Sequence, residues 1–188
     1  MKILITYGTR YGSTAQISQW MKERMPSSAE VSLLTVSQVE SVSAFTHVII
    51  GSPLYDNDLL PEVKRFIAEF DDDLYNKHMG VFGVALSHLG RGLYGEADGG
   101  LVYFNRFFNY LPTKPIYSRL LGGALHPELL NDRDRKLLEA YYRAKGSKQI
   151  PFEQEMDKEQ VWEYVEKYLD FVAVKTRLQE KMNRTSPE

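Results

Sequence analysis

The stretch that most constrains this chain is its beginning, residues 1–25. It opens with Lys2-Ile3-Leu4-Ile5-Thr6-Tyr7, a short apolar run of the kind that forms a strand buried on both faces. Small and hydroxylated residues follow: Gly8-Thr9-Arg10-Tyr11-Gly12-Ser13-Thr14. Ile17, Trp20 and Met21 then recur at helical spacing. The pattern predicts a strand that turns sharply into a helix, with Ser13 as the N-cap. The first amides of such a helix have no partners within it, and the helix dipole makes that end positive. With Thr9, Ser13 and Thr14 around it, the turn suits a phosphate monoester. A plain capped turn that binds nothing is the other reading of the same residues.

Apolar residues make up 43% of the chain and charged residues 26%, ordinary values for a globular protein. At 188 residues a single domain, 1–188, with a sizeable core is expected. The formal net charge of -2 favours neither a nucleic-acid partner nor the strongly acidic surface of an electron carrier. There is no cysteine, which excludes disulfides, thiol catalysis and thiolate metal sites. That composition, and an N-terminus without an apolar leader, lead to the expectation of a cytoplasmic protein. No apolar run has the length of a membrane span, while peripheral contact with a membrane stays open.

Further along, residues 29–34 read as a second strand and His47-Val48-Ile49-Ile50-Gly51 as a central one. Residues 52–58 read as a loop by composition. A helix is expected from Pro61, with Val63, Phe66, Ile67 and Phe70 inward and Asp71-Asp72-Asp73 ending it in solvent. Residues 79–86 form a fourth strand candidate, and a glycine-rich loop covers 87–95. A helix is expected over 100–111, and a fifth strand ends at Leu120-Leu121-Gly122-Gly123. A basic helix is expected over 132–145, stopped by Gly146, with Leu137, Leu138, Tyr141 and Tyr142 on one side. It suits packing on the sheet edge, and also an anionic membrane surface or a bound substrate. The last helix begins near Asp157, where Gln160 completes a capping-box pattern, and the tail from Arg177 is expected to fray.

Strands alternating with helices predict an α/β fold with a doubly wound parallel sheet. Ligands in such sheets lie beyond the carboxyl ends of the strands. The loops at 9–14, 52–58 and 87–95 all leave those ends.

This pattern resembles a flavodoxin domain over residues 1–123 and again at the final helix. The family's phosphate loop has the form Thr/Ser-x-Thr-Gly-x-Thr. Here Thr9, Gly12 and Thr14 match, and Tyr11 stands in place of the middle threonine. The resemblance implies a five-stranded sheet in the order 2-1-3-4-5, with FMN at the switch point. It implies that Thr9, Arg10, Tyr11, Gly12, Ser13 and Thr14 form the phosphate loop. Pro53, Leu54 and Tyr55 would border the flavin ring on one side, and Ser87, His88, Leu89, Gly90 and Arg91 on the other. Within the family the chain is most similar to the branch of menaquinone-dependent protoporphyrinogen oxidase, whose fifth strand ends like Gly122-Gly123-Ala124-Leu125 and carries an insertion before the last helix. The insertion here would be residues 126–155.

The activity this implies is that of an FMN-dependent oxidoreductase. Its partner would be a redox protein or a small quinone or tetrapyrrole substrate. Arg91, or His88 when protonated, would stabilise negative charge on the reduced ring. Two alternatives stand beside it: an electron carrier without its own substrate, and a cofactor-free flavodoxin-like binding protein. Gly90-Arg91-Gly92-Leu93-Tyr94-Gly95 also spells G-x-G-x-x-G. It follows the fourth strand candidate, and Lys114-Pro115-Ile116 offers no acid for a ribose, so a dinucleotide site is disfavoured. The four histidines have no metal-ligand spacing.

Overall fold

In a computed structural model, residues 1–86 and 100–185 are described. Strand β1 (Lys2–Tyr7) enters helix α1 (Ser13–Arg24), and β2 (Glu30–Thr35) follows. Strand β3 (His47–Tyr55) turns into the short β4 (Asp58–Leu59). Helices α2 (Pro61–Glu69) and α3 (Asp71–Tyr75) lead to β5 (His78–Ala85). Next come α4 (Gly100–Phe104), a 3-10 turn at Asn105–Asn109 and β6 (Tyr117–Gly122). Then β7 (Ala124–Leu125), α5 (Asp132–Ala144) and β8 (Glu153–Gln154) precede the long α6 (Lys158–Thr185). The main parallel strands stand in the order β2-β1-β3-β5-β6, which is the order the resemblance implies.

Both faces of the sheet are covered, and alternation along the strands assigns each side chain to a face. Leu4, Val48 and Ile50 point to one face and pack with Val63, Phe66 and Ile67 of α2 and with Phe104 and Phe107. Ile3, Ile5, Ile49 and Phe82 point to the other and meet Ile17 and Met21 of α1 and Val161, Tyr164, Val165 and Tyr168 of α6. Helix α6 lies tight on β5: a Cβ at Gly80 would stand 2.7 Å from the Tyr164 hydroxyl. Outside the core α6 is pinned by Lys158–Glu23 at 2.9 Å, Arg119–Glu163 at 2.7 Å and an Arg24–Glu166 pair.

Four local expectations need correction. Residues 52–58 are not an open loop, because β3 runs on to Tyr55 and returns as β4 through Asp56 and Asn57. Both turn residues have positive φ, 50° and 65°, as a tight two-residue hairpin requires and as Asp and Asn tolerate. Asp71, Asp72 and Asp73 do not end a helix in solvent. They start α3, where their charge suits the positive helix end. The helix expected over 100–111 gives way to a 3-10 turn after Phe104. The tail from Arg177 stays helical to Thr185. The cap of α6 is as expected: Asp157 Oδ1 accepts from the Glu159 amide at 2.9 Å, and Gln160 reaches back to Asp157 Oδ2 at 3.1 Å.

Two buried polar features carry consequences for stability. His47 and His78 meet at the start of β3 and β5, with ring nitrogens 3.2 Å apart and Thr46 Oγ1 2.7 Å from His47 Nδ1. Burial, and then the neighbouring His78, lower the His47 pKa to about 4 from 6.5. Between those values the unfolded chain binds the proton more readily, so stability is full above pH 6.5 and falls as the pH drops toward 4. Urea titrations across this range should show that loss, and His47→Gln should flatten it. The Tyr164 hydroxyl is fully buried and has no partner among the described residues. Since leaving such a group unpaired costs about 1–3 kcal/mol, Tyr164→Phe should raise the melting temperature by several degrees.

Candidate functional site

Strand β1 is paired on both sides, to β2 and to β3, so its end lies at the reversal of strand order. The turn that follows is held closed by two bonds. The Gly8 amide donates to the Gly51 carbonyl at 3.1 Å, and the Gly12 amide donates to Thr9 Oγ1, also at 3.1 Å. Gly12 has φ +93°, a left-handed conformation that side chains rarely adopt, and it is the N-cap of α1. Ser13, expected as the cap, is instead the first helical residue. Its hydroxyl accepts from the Ala124 amide of β7 at 3.1 Å, so it is engaged with backbone from the end of the sheet.

Thr14 is 1% exposed, and its hydroxyl has no partner among the described residues. An unpaired buried hydroxyl in the first turn of a helix, beside amides that the helix leaves free, is the donor set an anion requires. Thr14 lines a cleft of about 630 Å³ together with Thr9, Arg10, Tyr11 and Ser13. Pro53, Leu54 and Tyr55 form a second wall, where β3 ends and the hairpin begins. Gly12 shapes the loop by its backbone. The structure thus brings together the residues expected at the first two loops. Ser87, His88, Leu89, Gly90 and Arg91, and the whole G-x-G-x-x-G stretch, lie outside the described residues.

A third wall is α5 and its flanks, which the sequence left open between packing, a membrane surface and a bound substrate. Asp134, Leu137, Leu138, Tyr141, Tyr142 and Lys145 all line the cleft. The apolar face seen in the sequence therefore packs in part and also looks onto the cleft. Leu138 and Tyr142 sit in a small apolar cluster with Leu125 and Leu130, against which Tyr11 and Leu86 pack, while Leu137 and Tyr141 stay exposed. Tyr142 donates to Glu153 of β8 at 2.5 Å. Lys145 lies over the Tyr141 ring, 4.3 Å from its centroid.

The strongest tie between α5 and the first loop is Asp134. Its Oδ2 accepts from Arg10 at 2.9 Å and from the Tyr11 hydroxyl at 2.6 Å. Asn131 caps α5, accepting from the Asp134 amide at 2.8 Å. Burial works against the Asp134 charge, but the Tyr11 and Arg10 hydrogen bonds outweigh it and hold the carboxyl below its usual range. Burial likewise opposes the Arg10 charge, and Asp134 overcomes it. The Arg10 guanidinium also lies 4.4 Å from the centre of the Tyr55 ring, a cation–π distance. Burial, above other causes, pushes the Tyr55 phenol well up, so the ring stays neutral. Arg133 reaches Asp56 of the hairpin turn at 2.9 Å. The Asn131 and Asp134 pairing was readable as a helix start. Contacts across more than a hundred residues leave no local signal.

The described residues hold no group of three His, Asp or Glu side chains fit for a metal ion. Among them no helix is long and apolar enough to cross a membrane.

Fold and cleft together define a class: an open, doubly wound α/β domain of the flavodoxin type, with a cleft at the switch point of its sheet. The comparisons agree, because the family described as "Flavodoxin domain" matches residues 4–150, and the chain belongs to it. Among solved structures, oxidised flavodoxin 1 from Bacillus cereus is similar at TM-score 0.54 and 14% identity, covering 90% of this chain and 98% of that one. A short-chain flavodoxin associated with a non-canonical PDU bacterial microcompartment is similar at TM-score 0.53 and 17% identity, covering 90% and 97%. A search of curated protein sequences finds no match.

Proposed function

We propose that this flavodoxin-domain protein binds FMN at the 9–14 turn and acts as an oxidoreductase, passing electrons through the flavin to a small quinone-like or tetrapyrrole-type partner. The observation that carries the reading is the buried, unpartnered Thr14 hydroxyl at the base of the cleft. The residues present fit the cofactor. Thr9 and Thr14 would hold its phosphate through their hydroxyls, and Ser13 and Thr14 through the amides of the first helical turn, while Gly12, whose amide is taken by Thr9, shapes the turn. Pro53, Leu54 and Tyr55 would border its ring, with Tyr55 offering an aromatic face. The flavin supplies the electron chemistry, and the chain supplies binding, orientation and electrostatics.

What favours an enzyme over a carrier is the α5 wall. A carrier needs one exposed flavin edge and a charged docking surface. This chain is close to neutral, and its cleft continues past the flavin loops along Leu137, Tyr141 and Lys145. Such a face suits a flat apolar molecule with a polar end. Residues 126–155 would be an insertion serving that purpose within one domain, as the resemblance of the sequence to the protoporphyrinogen oxidase branch implies. His88 and Arg91 are proposed to steady negative charge on the reduced ring.

The absorbance spectrum of the purified protein, incubated with saturating FMN and then freed of unbound cofactor by gel filtration, tests the cofactor; a chain that comes through colourless does not work this way. Thr14→Val removes the orphaned hydroxyl at constant shape. It should leave the melting temperature of the cofactor-free protein equal or higher, while weakening FMN about tenfold or more, as loss of a hydrogen bond to a charged group does. Arg91→Ala should lower the flavin potential and slow turnover with quinones. If both stay at wild-type values, Arg91 has no such role.

A further inference from the structure

Arg10 is the nearest cation in the phosphate loop, and the structure already supplies it with an anion. Asp134 is 8% exposed, and its Oδ2 takes Arg10, the Tyr11 hydroxyl and, at 3.3 Å, the Asn131 side-chain amide. The carboxylate belongs to α5, which is remote in sequence from the loop it completes. Asn131 fixes the first turn of α5 through the Asp134 amide, so the carboxylate is carried on a rigid element. Arg133, the charged neighbour on α5, pairs with Asp56 and acts on Asp134 only through its charge, a smaller influence than that of Arg10.

We propose that Asp134 sets the charge selectivity of the cofactor site. It is an internal counter-ion for Arg10, held where it discounts the attraction of the loop for a phosphate monoester. The inference rests on the FMN reading above and concerns the phosphate end alone. In the present arrangement Arg10 is shared between the Asp134 carboxylate and the Tyr55 ring. A dianionic phosphate entering the loop meets the Asp134 charge nearby and must share Arg10 with it. A flavin without phosphate feels neither effect. Asp134 is therefore a positioning residue with a charge-specific cost, and it couples the seating of α5 to the presence of anion in the loop.

The distinguishing measurement is the pair of dissociation constants for FMN and riboflavin, read by quenching of flavin fluorescence. Asp134→Asn keeps the shape and an oxygen that accepts from Tyr11 and Arg10. It should tighten FMN about threefold to tenfold, the scale of one like-charge contact in a solvated cleft, and leave riboflavin unchanged. In an Arg10→Gln background the same substitution should still favour FMN, by a smaller factor, because the shared cation is gone. A purely structural role would shift both flavins together. An equal shift, or a selective loss of FMN affinity, overturns the proposal and leaves the FMN reading intact. If the wild type binds neither flavin, both fall.

Hydrogen exchange on the wild-type protein covers the case of a variant that fails to fold. FMN should speed exchange over residues 131–138 as Asp134 loses its hold on Arg10, and riboflavin should not. Equal response to the two flavins, or none to either when both bind, overturns the proposal.

Discussion

The pairing of β1 on both edges is the constraint on which the rest depends. A strand bonded to β2 on one side and β3 on the other has no free backbone to offer along its length. Its side chains are needed on both faces at once, which is why Ile3, Leu4 and Ile5 are all fully buried. Backbone becomes available to a ligand only past the strand end, beyond Gly8, whose own amide is still held by the Gly51 carbonyl. The sharp turn then has to lift α1 onto one face of the sheet without blocking that end. The left-handed Gly12 and the Thr9 hydroxyl on its amide make that turn. That unpaired amides gather at this place follows from sheet topology before any side chain is considered.

The strands were legible because each carries its own pattern, whereas their order came only with the resemblance to the flavodoxin domain. Apolar runs at 2–7, 47–51 and 79–86 are buried on both faces, and helices with one apolar stripe separate them. Residues 52–58 were misread because composition cannot tell a loop from a tight hairpin. Asp56 and Asn57 are common in both, and the distinction lies in paired backbone φ angles. Ser13 was misread for a related reason. It has the chemistry of a cap, but Gly12 takes the cap position and leaves Ser13 to hold the start of β7. Gly122 shows the same limit: a Cβ there would run into the Glu155 backbone, a contact between segments that no local pattern records.

The candidate site was half legible. The loop at 9–14 and the aromatic wall at Tyr55 both follow strands, so topology places them together. The α5 wall does not follow from topology. A helix with Leu137, Leu138, Tyr141 and Tyr142 on one side announces that something apolar lies against it, without saying whether that is sheet, lipid or ligand space. The structure divides the stripe. All four line the cleft, but Leu138 and Tyr142 also pack into the apolar cluster, while Leu137 and Tyr141 stay exposed. One amphipathic face serves both to anchor the helix and to line a cavity.

Anchoring by apolar contact alone would leave α5 free to slide, since leucine and tyrosine pack with little regard for register. Hydrogen-bonded charge is different. Asp134 is nearly buried, and its carboxylate is stable there only with Arg10 and the Tyr11 hydroxyl in place. That requirement fixes the register of α5 against the first loop. The cost of the arrangement is that the loop's own cation is no longer fully available to an incoming anion. Position of the helix and affinity for a charged ligand are thus set by one carboxylate. The substituted tyrosine at position 11 belongs to the same account. A threonine hydroxyl on a short side chain serves an anion inside the loop, whereas the Tyr11 phenol extends out of it to meet α5. Tyr11 and Asp134 together turn the departure from the family's loop pattern into the contact that seats α5.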